Sequence, residues 1–187
     1  YLVCLVLAVA GTPVRAQLAQ SLRLEIPSDP NEAEAFDVTP LNDKGLLVTI
    51  RTGAFYDNTP ANLNFQKYDV NLKLLWKAQF KQSGDFSPVL DCNTDQYVYH
   101  LFRDYDRGKF QFLRLHLEDG VIETFEGNLI DQFDVQYFKV LGSQAYVGGY
   151  RHGRPVVMAF SFFDQSAKVL PGMYVNRMEL SELAIDE

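Results

Sequence analysis

Tyr97-Val98-Tyr99-His100-Leu101-Phe102 is a nearly unbroken apolar run, and a second one, Phe110 to Leu117, follows the turn Asp106-Arg107-Gly108-Lys109. The two runs read as neighbouring strands of a hairpin, because Asp and Gly tolerate the left-handed backbone that short hairpin turns demand. Both are apolar at odd and even positions, so each strand needs cover on both faces of its sheet. Working outward, Phe86 to Leu90 and the turn Asn93-Thr94-Asp95 precede the pair, while Glu118-Asp119-Gly120 and Val121 to Phe125 follow it. The unit is four short strands with doubly covered strands at its centre.

The same order recurs on either side. An earlier block reads Phe36 to Leu41, turn Asn42-Asp43-Lys44-Gly45, Leu46 to Ile50, a polar loop, Leu63 to Tyr68, turn Asp69-Val70-Asn71, and Leu72 to Trp76 with Leu72, Leu74 and Trp76 on one face. A later block reads Val135 to Leu141, turn Gly142-Ser143, Ala145 to Tyr150, turn Arg151-His152-Gly153-Arg154, Val156 to Phe163, turn Asp164-Gln165-Ser166, and Val169 onward. Aligning the second strands gives a period of roughly 45–50 residues, the length of a propeller blade. A two-sheet sandwich would bury one face of each strand and alternate more cleanly. The fold expected is therefore all-β: a partial β-propeller of three four-stranded antiparallel blades at 36–80, 86–127 and 133–173, plus the first strand of a fourth at 175–183. The alternating run Leu22-Arg23-Leu24-Glu25-Ile26 is expected to be a ring-closing outer strand at 22–27.

Composition agrees with a strand-rich globular chain. Fourteen Phe and ten Tyr stand against three Met, and aromatic side chains suit a pleated, half-buried surface. A net charge of −7 points away from nucleic acid or an anionic membrane surface, which reward clustered Lys and Arg. Tyr1 stands where an initiating Met is expected, so the sequence is read as starting inside a reading frame. Residues 1–16 read as a secretory signal without its basic region: the apolar run Leu2 to Ala10, then Gly11, Pro13 and Val14-Arg15-Ala16, with cleavage after Ala16. That run is half of what a membrane span needs, so no membrane insertion is expected in the mature chain 17–187. Cys4 falls in the signal, which leaves Cys92 as a lone, buried thiol. The location expected is the periplasm or exterior of a Gram-negative cell.

Lys67-Tyr68-Asp69-Val70-Asn71-Leu72-Lys73-Leu74-Leu75-Trp76 resembles the strand–turn–strand ending of blades in exported bacterial propeller-repeat proteins. It is also similar to the Trp-containing blade ends of WD-type repeats. The chain departs from WD40 repeats in having no Gly-His and no Trp-Asp dipeptide, and from kelch repeats because Gly148-Gly149 occurs once only. The resemblance spans Leu22 to the C-terminus by period, and implies a fold without an activity. Propellers close with about four to eight blades, so three leave Leu22 to Ile26 unpaired and one blade face uncovered, and the remaining blades of the same full-length chain are expected as partners.

Candidate chemistry gathers in the loops between second and third strands, which share one propeller face with the links between blades. Tyr56 and Asp57 lie in the long loop of the first block, Arg107 in the second, and Arg151, His152 and Arg154 in the third. Arg, His and aromatic side chains on one rim can receive an anionic or carbohydrate-like ligand or an acidic segment of a protein; polar hairpin tips explain the same residues through turn chemistry. Asp104-Tyr105-Asp106-Arg107-Gly108 starts like a calcium loop but offers Lys109 where a further acidic ligand belongs, so a hairpin turn is the better reading. His100 and His116 are expected near each other across one hairpin, with Cys92 and Asp91 the only further metal-ligand candidates; packing is favoured. Asp131 and Asp134 are a carboxylate pair near the central channel, with turn capping as the commoner explanation. Trp76 is read as an outer-strand aromatic packed on the next blade. No catalytic residue, metal or cofactor is expected. The leading expectation is an exported, non-enzymatic recognition or scaffold domain that binds a protein or carbohydrate-like ligand. The alternatives are the propeller of an extracellular carbohydrate- or peptide-processing enzyme, and the sensor propeller of a membrane receptor.

Overall fold

The computed structural model describes residues 22–27, 34–53, 60–104, 106–128, 130 and 132–171. Twelve strands account for nearly all the regular structure among them: β1 (Glu34–Pro40), β2 (Leu46–Thr52), β3 (Ala61–Tyr68), β4 (Leu74–Gln82), β5 (Ser87–Asn93), β6 (Tyr97–Asp104), β7 (Lys109–His116), β8 (Ile122–Asn128), β9 (Phe133–Leu141), β10 (Gln144–Arg151), β11 (Arg154–Ser161) and β12 (Ala167–Val169). A 3-10 turn, Asn42–Lys44, sits between β1 and β2. The strands form three four-stranded antiparallel meanders in chain order, β1 to β4, β5 to β8 and β9 to β12. The architecture is all-β, a partial propeller of three consecutive blades.

The double-sided apolar pattern of β6 and β7 has a direct structural cause. Val98, Phe102, Leu113 and Leu115 pack with Leu47, Leu63, Phe65 and the partly buried Trp76 of the first sheet. The alternate residues Tyr99, Leu101, Phe110 and Phe112 pack with Phe138, Val147, Met158 and Phe160 of the third. The second sheet is therefore a filling between two others, and no strand at its centre has a solvent face. Burying each large side chain contributes about 1.5–3 kcal/mol. Aromatic pairs reinforce the second interface, with Phe112 at 5.1 Å from Phe160 and 5.4 Å from Phe138, centroid to centroid. Cys92 packs at the edge of this core, where burial pushes its thiol up to about 12.

One carbonyl ties the first two sheets together. Leu117 lies in the turn after β7, and its oxygen accepts from Lys67 Nζ at 2.6 Å and from Trp76 Nε1 at 3.2 Å. The Trp76 ring also covers Gly120, where a Cβ would stand 2.9 Å from Trp76 Cε3. The outer-strand tryptophan thus does pack on the following blade.

Several boundaries differ from the sequence reading. Leu72 has a positive φ of 59° and belongs to the turn, so β4 begins at Leu74 and runs on to Gln82. Residues 22–27 form no strand; instead Leu24 and Ile26 lay their side chains on Val48, Ile50 and Tyr68. Alternation there reflects one-sided packing onto a sheet face, which needs no strand pairing. The signal segment 1–16, Cys4 and the fourth-blade segment 175–183 lie outside the described residues. No helix among the described residues is long and apolar enough to cross a membrane.

Candidate functional site in the cleft between the first two sheets

The three sheets have two ends. One carries the β2–β3, β6–β7 and β10–β11 connections together with the links from sheet to sheet; the other carries the remaining hairpins. At the first end, the apolar character of the interface between sheets one and two runs out. The side chains of β2 that face the second sheet read Leu47, Thr49, Arg51 towards that end, and those of β6 read Val98, His100, Phe102. Two polar residues on β2 and one on β6 replace what would be core, and a cleft of about 200 Å³ opens there. Ala35, Leu63, Pro88 and Phe102 supply apolar wall, while Asp37, Thr49, Arg51, Asp91 and His100 supply polar groups.

His100 is 6% exposed and Thr49 8%. His100 Nδ1 donates to Asp91 Oδ1 at 2.7 Å, and its ring lies 5.5 Å from that of Phe65. A carboxylate only accepts, so this bond places the proton of a neutral imidazole on Nδ1 and leaves Nε2 as an acceptor. Nε2 of His100 and Oγ1 of Thr49 are buried with no hydrogen-bond partner among the described residues. Each unpaired buried polar atom costs about 1–3 kcal/mol, and a polar group kept for use is one of the reasons a structure retains such an exception; Gln82 and Gln111 hold others away from the cleft. Partial burial also lowers the Arg51 pKa from its ordinary value.

A larger hollow of about 510 Å³ lies between the second and third sheets at the opposite end, lined by Thr94, Asp95, Tyr97, Tyr99 and Gly142 among others. None of these residues has a buried side-chain polar atom without a partner. Thr94 Oγ1 accepts from Tyr97 N at 3.1 Å, and the Arg114 guanidinium lies 5.0 Å from the Tyr97 ring. Of the two, the smaller cleft is the one lined by buried polar atoms without a partner.

Of the residues expected on the rim, Arg107, Arg151, His152 and Arg154 fall at the same end as the cleft. Tyr56 and Asp57 lie outside the described residues. Arg107 is 63% exposed and shared between Asp85 Oδ2 at 3.2 Å and Asp104 Oδ2 at 3.8 Å, so it ties the β6–β7 hairpin to the link arriving from the first sheet. Arg151 and Arg154 face each other across the β10–β11 turn. That turn consists of His152 and Gly153 at φ of 51° and 71°, the left-handed pair that a two-residue hairpin of type I′ requires. Arg107 thus belongs to a different hairpin from Arg151, His152 and Arg154.

Three further readings resolve. Asp104 Oδ1 accepts from the backbone N–H of Asp106 and Arg107 at 3.0 and 2.9 Å, so the Asp-x-Asp start is a hairpin cap. His100 and His116 do not approach across the hairpin as expected. His116 pairs with Tyr97 and His100 with Leu113, which puts the two imidazoles on opposite faces of one sheet. Each has its own aspartate, His116 with Asp119 at 2.7 Å. Asp131 is outside the described residues, and Asp134 is exposed and accepts from Gln136 at 2.9 Å. Among the described residues no three His, Cys, Asp or Glu gather as a metal site.

No family model and no curated protein matches the chain. Solved structures of similar shape include a mutant of Synechocystis apocarotenoid oxygenase, at 9% identity and a TM-score of 0.47 over 72% of this chain. A chimera of that oxygenase with RPE65 has 9% identity and a TM-score of 0.47 over 74% of this chain. The chain spans 37% and 39% of the length of those two proteins.

Proposed function

We propose that this chain is an exported recognition domain that binds its ligand at the end of the sheets towards which β2 and β6 run, with the cleft between the first two sheets as the seat. One observation carries the reading: His100 and Thr49 line a cleft while keeping a buried polar atom each without a partner. A volume of about 200 Å³ is below the roughly 300–1,000 Å³ of sites for drug-sized ligands. It suits one ring or one side chain of a larger ligand whose remainder lies along the rim. Export rests on the apolar run and small-residue site within 1–16.

The test is a binding screen of the whole chain against neutral oligosaccharides and against peptides, repeated with Ala35→Trp to fill the cleft mouth. The expected result is a ligand retained by the wild type and lost on filling the cleft. Retention of nothing from either class, or equal retention by both proteins, would overturn the proposal.

A second reading follows from the same imidazole. A histidine that lines a cleft and is oriented by a carboxylate is also the arrangement of a general base. Release of nitrophenolate from nitrophenyl glycosides or esters, lost in His100→Gln, would favour the enzyme.

A further inference from the structure

We infer that the cleft takes an uncharged, hydroxyl-bearing ring of monosaccharide size, held by donation of a ligand hydroxyl to His100 Nε2 and by exchange with the Thr49 hydroxyl. The inference rests on the proposed recognition role and adds the chemistry of the ligand.

Three observations select this class. The first is hydrogen-bond polarity. In the neutral imidazole the bond to Asp91 puts the proton on Nδ1, so Nε2 asks for a donor, and a hydroxyl or N–H supplies one where a carboxylate or ether cannot. Thr49 Oγ1 both donates and accepts, so the pair matches adjacent hydroxyls, each of which does the same. The second is charge. Asp37 and Asp91 outnumber Arg51 on the lining, so an anionic ligand meets a net negative site whose single cation already has interactions of its own. This narrows the anionic or carbohydrate-like alternatives raised by the sequence to the neutral one. The third is shape. Leu63 and Phe102 are buried and apolar, at 4% and 3% exposure; each stands beside one of the two polar groups, Leu63 with Thr49 on the first sheet and Phe102 with His100 on the second, so each wall offers apolar surface next to a hydrogen-bonding atom. A pyranose carries both features on one body; an aliphatic peptide side chain carries only the apolar one.

Imidazole nitrogen shifts provide the readout. The chain has three histidines, and His116 and His152 lie outside the cleft, so they serve as internal references. The probes are neutral methyl hexopyranosides at up to tens of millimolar, a methyl glucuronide of matching stereochemistry, and an uncharged hydroxyl-bearing dipeptide. A neutral glycoside is expected to move Nε2 of His100 while leaving Nδ1 protonated and the other two rings unchanged. Thr49→Val is expected to weaken that glycoside by about two- to tenfold, the range for one neutral hydrogen bond, while leaving the unfolding midpoint equal or higher. A midpoint that falls in Thr49→Val would show the hydroxyl to be structural and overturn the inference. So would tighter binding of the glucuronide than of its neutral parent, or a shift produced by the dipeptide alone. If no glycoside moves His100 while oligosaccharides still bind the wild type and Ala35→Trp still abolishes that binding, the assignment of a neutral sugar ring to His100 and Thr49 is wrong and the recognition site itself stands.

Discussion

The Leu117 carbonyl offers a sharp test of how the first two sheets are held. Two donors from different strands of the first sheet converge on one oxygen of the second, Lys67 Nζ at 2.6 Å and Trp76 Nε1 at 3.2 Å. A carbonyl has two lone pairs, so losing either donor leaves the oxygen satisfied and losing both leaves it buried and orphaned. Trp76→Phe keeps a ring and removes a neutral bond worth about 0.5–1.5 kcal/mol. Lys67→Met keeps most of the volume and removes a charge-assisted bond of about 1.5–3 kcal/mol, offset by the relief of a buried ammonium. The double variant adds the desolvation of the carbonyl, about 1–3 kcal/mol. Its loss should therefore exceed the sum of the singles by about 1–2 kcal/mol. Urea unfolding followed by circular dichroism is the assay, because the single tryptophan is itself substituted. Far- and near-ultraviolet transitions must coincide before the midpoints are compared. Additivity within about 0.5 kcal/mol, the behaviour of independent sites, would refute the shared-acceptor argument.

Other perturbations separate effects that share a location. Gly120→Ala should cost about 1–2 kcal/mol more than Gly142→Ala. Both have a positive φ, but only at Gly120 does the new Cβ meet Trp76; equal losses by denaturant titration would remove the Trp76 contact from the explanation. Asp104→Ala should cost about 1–2 kcal/mol through two lost backbone bonds, whereas Arg107→Ala, largely exposed, should cost under about 1 kcal/mol. The reverse order in thermal scans would mean that the ion pairs hold the hairpin. Burial raises both the Cys92 thiol and the Tyr99 phenol to about 12. The folded state then holds protons that the unfolded state releases first, so this stability is complete below about pH 9 and lost as pH rises from 9 to 12. Melting temperature against pH, with Cys92→Ala and Tyr99→Phe flattening the decline, checks the sign.

The repeat, the strand order and the covered faces of β6 and β7 were legible because doubly apolar strands have only one kind of solution, a sheet on either side. The ends were less legible. Alternation in Leu22–Ile26 describes one-sided burial, and side chains laid across a sheet face produce it as readily as a paired strand does. The cleft was almost invisible. His100 sits inside an apolar run and reads there as core packing, and Thr49 reads as an ordinary β-branched strand residue. What distinguishes them is absence of partners, and partners are fixed by register between β2, β5 and β6, which lie far apart along the chain. Arg107 shows the converse. Its position on a hairpin tip was visible, but Asp85, which engages it, comes from the link that arrives from another sheet.

The position of the cleft yields a last prediction, in which function and stability oppose each other. Along β2 the residues facing the second sheet change from Leu47 to Thr49 to Arg51, so the interface is greasy and clamped at one end and polar and open at the other. A sheet pair selected only for cohesion would continue the apolar series. Thr49→Val with His100→Leu does so, removing two buried unpaired polar atoms that cost about 1–3 kcal/mol each. Asp91 loses its partner, but its side chain is half exposed, at 52%, and water takes over the bond. The double variant should therefore gain at least about 1 kcal/mol, or roughly 2–4 °C in melting temperature for a chain of this size, while binding at the cleft is abolished. A protein destabilised by both changes would mean that the two polar groups already have partners that serve the fold. The cleft would then be ordinary structure, and the case for a site between these sheets would fail with it.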